Sequence, residues 1–339
     1  MPKIFLCICF ILLLVCSNCK PQNYNSSKIN GLSFVASNDT IRQNHIKPIS
    51  ELHANWVSIM PFGFMESLDD KILHYNHPKQ WYGERIEGVK QNIEIMHNNN
   101  IKVMLKPQIW IGGGDFTGYI SMKTESDWKA FEKNYSDMIM LYAKVAEETQ
   151  SEMFCIGTEL NTFVSQRPKF WSTLISAVKT IYSGRLTYAE NWDKIDNVPF
   201  WSDLDYIGVD AYFPISEEKT PNLDSVKTAW QPISENLKIL SEKHSKPILF
   251  TEFGYRSIDY AGKQPWDSNR VDGQTNEVAQ DILLRGLLES VWNKPWFAGG
   301  FLWKWFHNHN RVTERHANRF SVQHKKAEQS LKKYYAEFE

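Results

Sequence analysis

Two kinds of apolar patterning alternate along the chain. Short runs in which nearly every position is apolar recur at 31–36 (GLSFVA), 56–62 (WVSIMPF), 102–111 (KVMLKPQIWI), 153–160 (MFCIGTEL), 185–192 (RLTYAENW), 204–213 (LDYIGVDAYF), 248–255 (ILFTEFGY) and 298–306 (AGGFLWKWF). Such runs read as strands covered on both faces, because a strand with one wet face would alternate polar and apolar residues. Between them lie longer segments with helical spacing. In ERIEGVKQNIEIMHNNN, for example, Ile86, Val89, Ile93 and Met96 share one face. DWKAFEKNYSDMIMLYAKVAEET, SVKTAWQPISENLKILSEKH and NEVAQDILLRGLLESVW repeat the pattern, whereas DKIDNVPFWSD, between the fifth and sixth runs, has only weak helical character. Strands alternating with helices predict a parallel sheet, and eight of them favour closure into a single (β/α)8 barrel. An open doubly wound sheet is the runner-up, but the phosphate-binding glycine turn after its first strand is missing.

The two ends add context. MPKIFLCICFILLLVCSNCK carries Lys3, then an apolar core of roughly a dozen residues, then small and polar residues, which predicts a signal peptide over residues 1–19 rather than a membrane span. VCSNCK resembles the lipobox of bacterial lipoproteins with Cys19 as the lipid acceptor, and residues 20–28 read as a polar tether. The expectation is an exported cell-envelope protein with a (β/α)8 body over 29–339, attached to a membrane only through Cys19; secretion without lipid is the alternative. Four of the five cysteines fall in the leader, so the body keeps Cys155 alone, with no partner for a disulfide and no cysteine cluster for zinc. The tail FSVQHKKAEQSLKKYYAEFE reads as a closing amphipathic helix.

With 38 basic and 39 acidic residues and no run of one sign, the chain lacks the electrostatic footprint of a nucleic-acid or anionic-lipid binder. Its aromatic content is 14 %, with 13 Trp, more than a core alone usually takes. In an eightfold barrel, chemistry sits at the carboxyl ends of the strands. Those ends carry Trp110 and GGGDF on the third strand, Thr158, Glu159 and Asn161 on the fourth, and Glu190, Asn191 and Trp192 on the fifth. Asp210 and Tyr212 follow on the sixth, Glu252 and Tyr255 on the seventh, Trp303 and Trp305 on the eighth. Carboxyls for proton transfer and covalent attack, amides for hydroxyls and flat rings for sugar faces suit a carbohydrate. Glycoside hydrolysis needs two carboxyls, and Glu159 and Glu252 are the natural pair, with Glu190 and Asp210 as rivals. Trp110 and Trp192 are either buried anchors or stacking platforms. Asp210 binds either a rim arginine or a sugar hydroxyl, and Asn191 either braces the barrel mouth or touches substrate. Trp303 and Trp305 alternate, so one faces away from the interior. HNHN at 307–310 offers two histidines, but without a third ligand nearby it reads as a polar loop.

The motifs CIGTELN, FTEFGY, IGVDAYFP and GGFLWKW together resemble glycoside hydrolase family 113, in clan A of the retaining glycoside hydrolases, over about residues 29–310. The resemblance implies Glu159 as acid/base, Glu252 as nucleophile, Tyr212 holding that nucleophile and Trp303 under the sugar at the cleavage site. It further implies β-1,4-mannan as substrate, with no metal or organic cofactor. Much of the clan has Asn directly before the acid/base; here Thr158 stands there, so recognition of the sugar 2-hydroxyl passes to Thr158 itself, Asn161 or Asn191. The residues by themselves say only β-glycoside. A catalytically silent barrel that binds glycans at the cell surface would share the aromatic rim but would not need both glutamates.

Overall fold

The structure, a computed structural model, describes residues 27–267, 274–312 and 316–338. The readings of a signal peptide over 1–19 and of Cys19 as a lipid acceptor lie outside the described residues. Among the described residues, no helix is long and apolar enough to cross a membrane.

Among the described residues, ten strands follow in chain order: β1 (Ile29–Val35), β2 (Trp56–Ile59), β3 (Phe62–Met65), β4 (Lys102–Leu105), β5 (Gln108–Ile111), β6 (Met153–Thr158), β7 (Arg185–Asn191), β8 (Ile207–Asp210), β9 (Ile248–Phe253) and β10 (Phe297–Phe306). Eight of them close a parallel barrel in the order β1-β2-β4-β6-β7-β8-β9-β10, with β10 returning to β1. β3 and β5 pair in parallel as a separate ribbon. The eight apolar runs thus correspond to the eight barrel strands, with one correction. The run 102–111, expected as one strand ending near Trp110, is two. Lys106 N donates to Ile59 O at 2.9 Å and Gln108 N to Pro61 O at 3.0 Å, but Pro107 between them has no N–H to give, and the ladder breaks there.

Helices α1 (Gln43–Glu51), α2 (Ile86–His97), α3 (Glu125–Glu148), α4 (Asn161–Gln166), α5 (Pro168–Lys179), α6 (Leu223–His244), α7 (Glu277–Val291) and α8 (Lys326–Glu337) cover the outside. The face expected of α2 is the packed one: Val89, Ile93 and Met96 are fully buried. Thr124, Asn222 and Asn276 start α3, α6 and α7, each side chain accepting from the backbone N–H three residues on. The β7 to β8 crossover has only two 3-10 turns, 195–197 and 201–203. Strand alternation separates two cores. Ile29, Trp56, Met104, Met153, Leu249 and Phe301 plug the barrel interior, while the second residue set of each strand packs under the helices. α8 seals the first strand, with Tyr335 OH donating to Gly31 O at 2.9 Å and Asn30 Nδ2 to Tyr335 O at 3.0 Å.

Candidate active site

On β9, Leu249 points into the barrel and Phe250 toward the helices, so strict alternation would send Glu252 outward with Phe250. An irregularity prevents this. Val209 pairs with Phe250, but the next residue of β8, Asp210, pairs with Glu252, leaving Thr251 as an extra residue on β9. A second register shift, between Gly300 and Leu302, lies on the β10 side. Bulges of this kind re-aim side chains at barrel rims. Here Thr251 and Glu252 reach the same polar cluster.

Both Glu252 oxygens are held. Oε1 accepts from Lys106 Nζ at 2.5 Å and from Gln108 Nε2 at 2.9 Å, and Oε2 accepts from Tyr212 OH at 2.8 Å. Asp210 stands beside it, its Oδ1 accepting from Thr251 Oγ1 at 2.7 Å and from Lys106 Nζ at 3.5 Å. Lys106 has no exposed surface. Burial opposes its charge, but the carboxylates of Asp210 and Glu252 outweigh that cost and hold its pKa above the ordinary lysine value. One ammonium cannot neutralise every acid here. Burial, then the charge of Glu252, pushes Asp210 up to about 7.

Glu159 is placed differently. It follows β6 with φ 51°, in the left-handed region that a side chain normally avoids at a cost of about 1–2 kcal/mol. Its backbone N–H donates to Ala189 O at 2.8 Å, and its carbonyl accepts from Thr117 Oγ1 at 3.2 Å, so both sides of the strained peptide are pinned. Among the described residues, no donor binds its carboxyl. Burial in the mouth, followed by the negative charges of Asp210 and Glu252, raises its pKa well above the carboxylate range. Glu190, on β7, is also buried and is pushed by that burial up to about 7. Its Oε2 accepts from Tyr188 OH at 3.2 Å, and the same hydroxyl accepts from Leu160 N at 2.8 Å. Tyr188 therefore links Glu190 to the residue following Glu159.

The remaining sequence candidates divide. Thr158 ends β6 half-buried, and Asn161 opens α4. Asn191 turns its Oδ1 back onto Trp192 N at 3.0 Å, a local brace. Trp192 lies between Phe213 (ring centroids 5.5 Å) and Trp266 (5.6 Å), and Trp266 is itself exposed. Trp303 is half-buried with Lys304 Nζ 5.3 Å from its ring, whereas Trp305 is fully buried in the outer core, so Trp305 is the member of the pair that faces away. Trp110 rides on the β3–β5 ribbon, more than half exposed, with its ring edge-on to Phe62 at 6.5 Å. Sequence reading overlooked Lys106 and Gln108. The available signal was a lysine inside an apolar run immediately before a proline, a position that solvent-facing lysines rarely take.

The profile of Glycoside Hydrolase Family 113 matches residues 36–326. A search of the curated proteins finds no match. Among solved structures, the family 113 β-mannanase AaManA of Alicyclobacillus acidocaldarius, in complex with ManMIm, superposes with a TM-score of 0.81 at 27 % identity, covering 94 % of this chain and 100 % of its own. A second family 113 β-1,4-mannanase gives a TM-score of 0.78 at 21 % identity, covering 92 % and 99 %. The β-D-glucuronidase of Dictyoglomus thermophilum shares the fold alone, with a TM-score of 0.63 at 13 % identity over 92 % of this chain and 51 % of its own. A closed parallel barrel with a carboxyl cluster at its mouth, and a profile match that spans most of the chain, lead to one assignment: the protein is a glycoside hydrolase and belongs to family 113.

Proposed function

We propose that the protein cleaves β-1,4-mannosidic bonds in mannan or manno-oligosaccharides by double displacement, with Glu159 as acid/base and Glu252 as nucleophile. The observation that carries this reading is the contrast between the two carboxyls. Glu252 accepts from an ammonium, an amide and a phenol, a set of donors that suits a charged carboxylate aimed at one place. Among the described residues Glu159 has no donor, and it stands near two other acids, which suits a carboxyl that keeps its proton until a leaving oxygen takes it.

In the first step a Glu252 oxygen bonds to the anomeric carbon while the glycosidic C–O bond breaks, and the Glu159 proton passes to the departing oxygen. In the second, Glu159, now a carboxylate, takes a proton from water as the water oxygen bonds to that carbon and the bond to Glu252 breaks. The product keeps its configuration. Mannan as the substrate rests on the likeness to the family 113 β-mannanase AaManA. Export and lipidation at Cys19 complete the proposal, and the mass of the mature amino terminus checks them.

The test is product analysis on mannohexaose, with cellohexaose and xylohexaose beside it, and proton NMR of the first-formed anomer. Release of β-configured mannose oligomers by the wild type, abolished in Glu252→Gln while binding persists, is the expected result. An α-anomer first would overturn double displacement, cleavage of only another glycan would overturn mannan, and full activity in Glu252→Gln would overturn the nucleophile.

A further inference from the structure

The two histidines of HNHN read in sequence as a polar loop because no third ligand stands nearby. The fold supplies the missing ones from the far end of the chain. His309, in the 3-10 turn after β10, meets His324 and Glu328 at the start of α8, and one potential ligand atom from each lies within 4.8 Å of the others. We infer that His309, His324 and Glu328 form a binding site for a divalent transition cation of the zinc class, which ties the loop after the eighth barrel strand to the closing helix.

The support is in how each ligand is oriented, beyond their proximity. His324 Nε2 lies 2.7 Å from His309 O, an acceptor only, so Nε2 carries the proton and Nδ1 keeps its lone pair. A metal-bound histidine typically has its second nitrogen anchored on a backbone carbonyl in this way. Glu328 is fixed likewise: Oε2 accepts from His324 N at 2.6 Å, leaving Oε1 to face His309 Nε2, also at 2.6 Å. That last contact is a hydrogen bond between the imidazole and the carboxylate, and a cation would take the place of its proton between nitrogen and oxygen. Both side chains are mostly sheltered, at 17 % and 13 % exposure, and Trp305 lies 5.4 Å behind the His309 ring. His324 has φ 62°, a left-handed backbone held in place by its hydrogen bond to Glu328, so the turn that presents the third ligand is already in shape. Two imidazoles and one carboxylate form a donor set that suits zinc, with water in the fourth position, and that binds calcium or magnesium poorly. Ligand atoms about 2 Å from a tetrahedral zinc lie roughly 3.3 Å apart, so closing the three atoms onto one ion draws the widest pair, within 4.8 Å, together by up to about 1.5 Å and opens the 2.6 Å contact between His309 and Glu328 by about 0.7 Å.

The experiment uses the full chain without a polyhistidine tag, stripped by chelator and then dialysed against zinc chloride. One equivalent of bound zinc is expected, with a rise of about 5 °C in the thermal midpoint when zinc is present at a hundredfold excess over its Kd. Cobalt in its place should give the visible absorption of a four-coordinate ion. His324→Ala, whose side chain is exposed, and Glu328→Gln should each lose the equivalent, the absorption and the thermal rise. His307→Ala, whose ring instead meets Asp39 at 2.9 Å, should keep all three. Absence of uptake in the wild type, or uptake unchanged in His324→Ala, overturns the site. Should Glu328→Gln fail to fold, His324→Ala alone decides.

Discussion

Replacing Lys106 by Met keeps the volume of the side chain and removes the only cation that touches both Glu252 and Asp210 among the described residues. The magnitude follows from the distances. Opposite charges about 4 Å apart attract by about 4 kcal/mol at the effective dielectric of about 20 that fits such sites. That corresponds to about 3 pH units at most in the proton equilibrium of Asp210, whose Oδ1 accepts from Lys106 Nζ. Asp210, already pushed up to about 7, keeps the Thr251 hydroxyl as a donor, so its upward move is about 1–3 units. The sign is upward, because losing a cation favours the neutral carboxyl. Turnover that depends on a charged Asp210 beside Glu252 should therefore fail over a wider acidic range. The assay is kcat/KM on mannohexaose from pH 4 to 9. The acid limb of Lys106→Met should move up by about 1–3 units, with a loss of roughly a hundredfold at pH 5 that shrinks to about tenfold or less at pH 8. The stability contribution of the lysine itself stays constant over that range: its folded pKa lies above the ordinary 10.5, so the contribution is present in full below 10.5 and is lost only as pH rises through the folded value. An equal loss at every pH, with the acid limb unmoved, would refute the reasoning.

Two further outcomes follow from the same cluster and one from the outer ribbon. Glu190 titrates at about 7 in the folded state, above its usual value of 4.5, so its contribution to stability is present below about 4.5 and is lost as pH rises to 7, by roughly 3 kcal/mol at most; the thermal midpoint of Glu190→Gln relative to wild type should rise between pH 5 and 8, and a constant difference would contradict the assignment. Tyr188→Phe removes the hydroxyl shared by Glu190 and Leu160 N, stranding two buried groups. It should cost about 1–3 kcal/mol in chemical denaturation and lower kcat more than it changes KM, whereas loss of stability with kcat intact would leave Tyr188 a purely structural tyrosine. Trp110→Ala, at an exposed ring on the outer ribbon, should leave stability within about 0.5 kcal/mol and raise KM for mannohexaose more than for mannotriose, while equal effects on both would place Trp110 outside the binding cleft.

Much of this protein was legible in its sequence. Burial on both faces leaves a continuous apolar run, so all eight barrel strands could be counted, and the four long helices carry a period that no strand tolerates. Glu159, Asp210 and Glu252 were visible as acids closing apolar runs, because a carboxyl is costly there without a task. The split of the run at Pro107 was also written in the chain, although the length of the apolar stretch concealed it.

What only the tertiary structure decided are relations between residues far apart in sequence. Lys106 and Glu252 are 146 positions apart and meet because β4 and β9 face each other across the barrel interior. Period-two alternation would have turned Glu252 outward; the extra residue on β9 reverses that, and a bulge depends on pairing with neighbours that sequence periodicity does not record. The third and second metal ligands for His309 come from the start of α8, placed there by the helix that seals the barrel. Local pattern reports how each segment is buried, since burial selects residue type position by position. Which charges face one another is set by closure of the barrel, and so is the crowding of acids that raises the proton affinity of Glu159.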